Sequence, residues 1–309
     1  MQGDFIMKTI FINQIQDFFH NALESYCCIG FFDGVHIGHQ KIIKQCVAKA
    51  KKDHKQAIVI TFSDDCNFFL KKTTPLCQQE KKLEAFLQLG IEVVYIIKNS
   101  SAILNLKGEE FIFKILLPLK VCRIFCGNDF TFGKDLKKGK DLNPFIPVEQ
   151  IDDVLDQNQK ISSSFIKQLF AQGKITQANQ YLYFPFSLDS IVLHGKELGR
   201  TLDCKTANLQ IKYPLYLKQG VYFGYAQYQN QTYKAMINVG TNPTIDHDQS
   251  QKIEVHLLNF NQDIYGQMLH VTFLYFHRPE MKFQNLAALK KQLKEDKISL
   301  AYGNWTLKG

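Results

Sequence analysis

From Cys27 to about Gly127 the chain alternates continuously apolar runs with segments of helical period. No other feature limits the possible folds as strongly. "YCCIGFF" and "QAIVITF" are apolar throughout, as strands covered on both faces must be. Between them, "HQKIIKQCVAKAKK" puts Ile42, Ile43, Cys46, Val47 and Ala50 on one helical face. The three segments make one βαβ unit. "KKLEAFLQLG" predicts a helix closed by Gly90, "IEVVYIIK" a strand, "GEEFIFKILLPLK" a helix and "VCRIFCG" a strand. Repeated alternation of this kind predicts an α/β domain with a parallel sheet and helices on both faces.

The period then changes. In "ISSSFIKQLFAQGKITQANQYL", Ser162 or Ser163 caps a helix running to Gly173, and a second short helix follows. After "YFPF" the helical pattern stops. Short strands are expected near 187–194, 221–228, 232–239, 253–260 and 269–276, which suggests an antiparallel barrel or sandwich. An amphipathic helix, "NLAALKKQLKEDK", closes the sequence. The boundary falls near Tyr183–Pro185, giving domains 1–183 and 184–309. A chain of 309 residues is too long for one typical core and suits two.

Composition narrows the function classes. No window approaches ~18 uninterrupted apolar residues, so no transmembrane helix is expected. "MQGDFIMKTIF" lacks the basic and apolar regions of a secretion signal. The eight cysteines form no Cys-x-x-Cys pair and read as reduced thiols of a cytoplasmic protein. The net charge of +8 favours anionic partners. Its densest cluster, "GKDLKKGK", is a lysine loop, without the arginine-rich helix, zinc-finger spacing or interleaved aromatics of a nucleic-acid binder. Phosphorylated small molecules are therefore the expected partners. The expected state is a monomer or weak homo-oligomer.

The first candidate site is "GFFDGVHIGHQ", residues 30–40, between a buried strand and a helix. A helix N-terminus offers free N–H groups and partial positive charge, which attract phosphate. Gly34 and Gly38 let a phosphate approach the backbone. His36 and His39 project the same way and can donate hydrogen bonds to a phosphoryl oxygen as charge builds in an in-line displacement. A metal site needs a third ligand, and none is apparent nearby. A plain glycine-rich turn is the remaining alternative.

The full string closely resembles the Gly-x-Phe-Asp-Gly-Val-His-x-Gly-His signature of bacterial bifunctional riboflavin kinase/FAD synthetases. "GNDFTFGK" at 127–134 and "ISSSFIK" at 161–167 resemble two further segments of that family. The resemblance spans nearly the whole chain. It implies a Rossmann-like nucleotidyltransferase domain that acts as an FMN adenylyltransferase. Gly30, Phe31, Asp33, Gly34 and Gly38 would line the ATP phosphates, with His36 and His39 in contact with them. Ser162, Ser163 and Ser164 would help to hold phosphate, and Asp129 would lie near the flavin substrate. Lys167 stands where the family usually has arginine, keeping charge without a bidentate fork. Asp64, Asp65 and Cys66 stand where it usually has Pro-His-Pro.

The second candidate site is "HGKELGRTLDCKTANL", residues 194–209. Gly195 and Gly199 suit a loop over phosphates, and Lys196 and Arg200 would neutralise them. Thr206 and Asn208, one residue apart on an extended segment, point to the same side. Their oxygens suit Mg²⁺. The segment resembles the riboflavin kinase sequence Gly-Arg-x-Leu-Gly-Phe-Pro-Thr-Ala-Asn-Leu, with Asp203, Cys204 and Lys205 replacing Gly-Phe-Pro. "INVGTNPTI", "IEVHLLNF" and "FLYFHRPEMKF" resemble later segments of the kinase half, which is a small antiparallel barrel in the family. The resemblance implies that Glu254 is the general base toward the ribityl hydroxyl and that Arg278 is a flavin-side contact. The function expected is phosphorylation of riboflavin to FMN and adenylylation of FMN to FAD, with Mg²⁺ and ATP. Two alternatives compete with it: a chain retaining only one activity, and a non-catalytic flavin- or nucleotide-binding regulator.

Overall fold

The structure is a computed structural model that describes residues 6–18, 23–71, 73–194, 206–241 and 251–303. The chain divides into two compact units between Ser163 and Ser164.

The first unit is built on a six-stranded parallel sheet. Its elements are β1 (Lys8–Ile12), β2 (Ser25–Ile29), α1 (Ile37–Lys52), β3 (Gln56–Phe62), α2 (Asp64–Lys71), α3 (Gln79–Gln88) and β4 (Val93–Ile97). There follow α4 (Ser101–Leu104), α5 (Gly108–Phe111), β5 (Val121–Gly127), the small hairpin β6 (Thr131–Phe132) and β7 (Lys137–Lys138), and β8 (Val148–Ile151). The ribbon β9 (Leu155–Asp156) and β10 (Gln159–Lys160) ends the unit.

The sheet order is β1-β4-β3-β2-β5-β8. The chain steps outward from β2 through β3 to β4, then returns to β5 on the other side of β2. The strand order therefore reverses between β2 and β5, and in open α/β sheets ligands bind beyond the strand ends at such a point. Alternation along β2 sends Cys27 and Cys28 to opposite faces. Cys27 joins Ile58, Ile60, Tyr95, Ile115 and Leu119 in one core layer. Cys28 lies toward α1, whose buried residues are Ile43, Cys46 and Ala50.

Two expectations are corrected here. β1, an edge strand, lies before the first segment assigned from sequence. "GEEFIFKILLPLK" is also not one helix: the single turn of α5 passes into a π turn at Ile112–Leu116.

α6 (Ser163–Ala171), whose first residue is the last of the first unit, and α7 (Ile175–Tyr181) open the second unit. A closed antiparallel barrel follows: β11 (Ser187–Leu193), β12 (Ala207–Leu209), β13 (Gly220–Tyr228), β14 (Gln231–Thr241), β15 (Gln251–Leu257) and β16 (Met268–Arg278), in the order β11-β12-β15-β14-β13-β16. α8 (Leu286–Tyr302) completes it. Inward residues such as Ala226, Ala235, Ile237, Val239, Ile253, Val255 and Val271 are fully buried and fill the barrel. Asn179 on α7 ties that helix to the barrel, donating to the Phe273 carbonyl and accepting from the Phe186 amide. Five barrel strands were expected. The sixth, β12, has three residues and closes the barrel by pairing β11 to β15.

Candidate functional sites

The first site forms at the carboxyl ends of β3, β2, β5 and β8, four neighbours in one sheet. β2 runs into a loop with left-handed backbone at Phe32 (φ 51°), Gly34 (φ 76°) and Val35 (φ 41°). For a β-branched residue such as Val35 this conformation costs about 1–3 kcal/mol. Burial of the Phe32 and Val35 side chains offsets that strain. Polar contacts fix the path. The Leu76 amide donates to Asp33 Oδ1 (2.5 Å), Ser163 Oγ donates to the Asp33 carbonyl (3.1 Å), and Gln40 Nε2 donates to the Val35 carbonyl (3.0 Å). Asp33 is thus a buried structural acceptor that ties the loop to two other segments.

The loop delivers His36 to the N-terminus of α1. The His36 and His39 rings stack with centroids 3.6 Å apart, and Phe32 meets His39 edge-on at 5.2 Å. A Cβ on Gly38 would lie 3.1 Å from His36 Cε1 and 3.2 Å from Nδ1, so only glycine leaves the ring its place. Burial, with the Lys160 charge, lowers the His36 pKa to about 4. Burial, with His36 and the ammonium groups of Lys71 and Lys82, holds His39 well below its ordinary value. Both imidazoles are neutral at pH 7, and Nδ1 of each is buried without a hydrogen-bond partner. Among the described residues no three His, Cys, Asp or Glu side chains gather as a metal site. The geometry offers two neutral imidazoles to an anion at a helix N-terminus.

The other residues expected at this site are held by contacts of their own. Phe31 stacks on Phe62 at 4.4 Å, with Lys71 Nζ 4.0 Å over its ring. Asp129 accepts from Lys160 Nζ at 3.0 Å, and Asp153 holds the same ammonium at 3.0 Å. Ser162 immediately precedes α6, whereas Ser164 and Lys167 belong to the second unit, where Lys167 Nζ lies 5.1 Å from the Tyr216 ring centroid. Asp64, Asp65 and Cys66 form the first turn of α2, with Ser63 Oγ accepting from the Cys66 amide. Asp64 takes the Gln79 amide and faces Lys82, which is 2% exposed and donates to the Phe62 carbonyl. Sequence reasoning missed Lys160, Lys71 and Lys82. Lys160 directly precedes "ISSS", a usable signal. Lys82 reads on any helical projection as a solvated side chain.

The second site lies on the outer face of the barrel. Asn208 on β12 stands opposite Glu254 on β15, and Asn238 on β14 stands opposite Glu254 from the other side. Thr206 and Asn208 flank the buried Ala207. Asn208 Oδ1 is a buried acceptor with no donor. An orphan acceptor beside a hydroxyl and a carboxylate fits a hard divalent cation. Glu254 Oε1 lies 2.5 Å from Lys252 Nζ. The Arg278 guanidinium is already engaged: Nε and Nη2 donate to Asp296, and Nη1 donates to the Pro279 carbonyl. Gly195, Lys196, Gly199 and Arg200 lie outside the described residues, as do Asp203, Cys204, Lys205 and the Asn-Pro-Thr at 242–244.

Comparison with known proteins now decides the family. The FAD synthetase family model matches residues 19–165, and the riboflavin kinase model matches residues 182–301. A curated bifunctional riboflavin kinase/FMN adenylyltransferase from Listeria monocytogenes is 32% identical over 94% of this chain and 96% of its own length. The chain belongs to the bifunctional riboflavin kinase/FMN adenylyltransferase family. A second member, from Bacillus subtilis, is also 32% identical, with the same coverage of both chains. A solved structure from Streptococcus pneumoniae superposes with a TM-score of 0.86 at 31% identity, covering 96% of this chain and all of that one. That structure is described as a macrolide-efflux protein. Among the described residues of this chain, no helix is long and apolar enough to cross a membrane.

Proposed function

We propose that residues 184–309 phosphorylate riboflavin to FMN with ATP and that residues 1–183 adenylylate FMN to FAD, releasing pyrophosphate. Two chemically distinct constellations in one family member carry this reading. One is a neutral imidazole pair on a helix N-terminus, and the other is a carboxylate beside an orphan amide oxygen.

In the kinase half, Glu254 takes the proton from the ribityl 5′-hydroxyl as that oxygen attacks the γ-phosphate. Thr206 and Asn208 would hold Mg²⁺, which would supply Lewis-acid stabilisation of phosphate charge. In the adenylyltransferase half, His36 and His39 each donate one N–H to phosphate oxygens on which charge accumulates at the transition state. Their neutrality suits this role, because a donor proton remains at pH 7 without a buried cation beside Lys160. Gly30, Gly34 and Gly38 keep the approach open, and Ser162 and Ser163 add hydroxyl donors. Asp129 positions Lys160 toward the flavin phosphate side. Glycine-loop residues 195–200 complete the kinase phosphate site. The protein works in the cytoplasm on small molecules, as a monomer or weak homo-oligomer and without nucleic acid.

Incubation with riboflavin, ATP and Mg²⁺, followed by chromatography, tests both steps. FMN and FAD both form if the reading is right. FAD from supplied FMN, without FMN from riboflavin, would leave the first half alone active, and the reverse result the second.

A further inference from the structure

α8 is attached in an unusual way. Of its seventeen residues only Asp296 and Leu300 are buried. Leu300, with the partly buried Leu293, packs on Val221, Phe223 and Met236 of the outer barrel face. Asp296 is fully buried, yet it is a carboxylate. Arg278 Nε and Nη2, His277 Nε2 and Gln292 Nε2 all contact it, at 2.7–3.1 Å. The His277 ring is itself fixed by stacking on Phe223 at 4.2 Å. At the far end of the helix, Lys234 Nζ donates to the Ala301 and Gly303 carbonyls.

A buried ion pair is a poor way to add stability, since a well-packed apolar side chain would do as well or better, but it fixes geometry. Arg278 forks onto Asp296 in one orientation, so the pair sets both the rotation and the height of α8 on the barrel. That position borders the second site. Met236, under α8, lies two residues from Asn238 on the same face of β14. Opposite Met236 on β15 is His256, two residues from Glu254. The face that α8 covers continues directly into the face that presents Asn208, Glu254 and Asn238.

We propose that Asp296 is a positioning residue of the riboflavin kinase site: by clasping Arg278 and His277 it holds α8 as the wall against which the flavin ring is bound. This rests on the kinase reading above. On this view Arg278 acts through Asp296, and the flavin meets the helix that the pair holds.

The test uses full-length protein and riboflavin fluorescence quenching. Asp296→Asn, which keeps the volume and removes the charge, weakens riboflavin binding about tenfold. It raises the riboflavin KM with kcat little changed and leaves FAD formation from supplied FMN at the wild-type rate. Leu300→Ala, which loosens the same helix through apolar packing, serves as the control. It lowers the melting temperature at least as much while affecting riboflavin affinity far less. Equal affinity losses in the two variants, or unchanged affinity in a folded Asp296→Asn protein, would overturn the proposal. If Asp296→Asn does not fold, Arg278→Lys keeps the charge, removes the fork and gives the same KM-without-kcat signature, and wild-type affinity in that variant overturns the proposal equally. If the wild-type protein binds no riboflavin, it is the kinase reading that fails. Hydrogen exchange along α8 then judges the clasp, with faster exchange in Asp296→Asn supporting it and unchanged exchange refuting it.

Discussion

Gly38→Ala separates catalysis from stability at the first site. Gly38 is the second residue of α1, and its backbone φ is not in the left-handed region. On propensity alone, alanine there would stabilise the helix by about 0.5–1 kcal/mol. The added methyl meets His36 Cε1 at 3.1 Å and Nδ1 at 3.2 Å, with the Ile161 carbonyl behind it at 3.7 Å. The ring yields by a few tenths of an ångström, and because it is stacked on His39 at 3.6 Å the pair moves together. A misplacement of ~1 Å costs on the order of 100-fold in rate, so a third of that costs roughly fivefold. The propensity gain and the contact strain offset each other, and the melting temperature stays close to wild type. FAD formation from FMN and FMN formation from riboflavin are measured on the same preparation, the second as internal control. Unchanged FAD formation would refute the argument that the His36 ring position matters. Parallel loss of both activities would show a folding defect instead.

Four further outcomes follow from the same geometry. Glu254→Gln lowers FMN formation by about 10²- to 10⁴-fold while FAD formation from supplied FMN persists, read by chromatography of each reaction. Asn208→Ala shifts the Mg²⁺ concentration needed for half-maximal kinase activity upward, in a titration at fixed ATP, since it removes the orphan oxygen. Lys82→Met leaves the Phe62 carbonyl without its buried donor and Asp64 without its facing positive charge, and costs about 1–3 kcal/mol in urea unfolding followed by the signals of the first unit. His36 has a folded pKa of about 4 against about 6.5 when unfolded, so its contribution is present above pH 6.5 and is lost as pH falls toward 4. Between pH 7 and pH 5 it withdraws roughly 2 kcal/mol at ~1.4 kcal/mol per unit, and His36→Gln removes that slope.

How much of this was legible beforehand depends on what each residue reports. β2 to β5 were readable because strands covered on both faces must be continuously apolar, and nothing else in the first half is. β1 escaped because an edge strand, half exposed at Thr9 and Ile10, carries a weaker signal. α5 reads as one long helix on hydrophobic period, but a π turn is a hydrogen-bond shift that leaves the period nearly intact. At the sites, His36 stood out because it sits in a glycine-rich turn before a helix, whereas Asn208 stood out only through the resemblance to the riboflavin kinase segment. Lys82 and Asp296 did not, since each is a charged residue on an amphipathic helix whose burial depends on what packs against it. Arg278 illustrates the difference. The family resemblance singled it out, while only the packed structure gave it Asp296 as its partner.

The unsatisfied groups carry a further argument. Buried polar atoms without partners are few in folded proteins, and each needs a reason. Among the described residues the unpartnered side-chain atoms are His36 Nδ1, His39 Nδ1, Asp64 Oδ1, Arg123 Nε and Asn208 Oδ1. Four of the five sit at the two sites: three at the carboxyl edge of β2 and β3, one on the barrel face beside Glu254. Their chemistry also differs by site. On the barrel the orphan is a pure acceptor, which a cation satisfies and an anion cannot. Beside β2, two of the orphans belong to imidazoles, which can each turn one N–H toward an oxygen and keep the other nitrogen as acceptor. The barrel orphan can thus only accept, while the imidazole pair beside β2 can donate to an anion even with the Asp64 carboxylate at the same sheet edge.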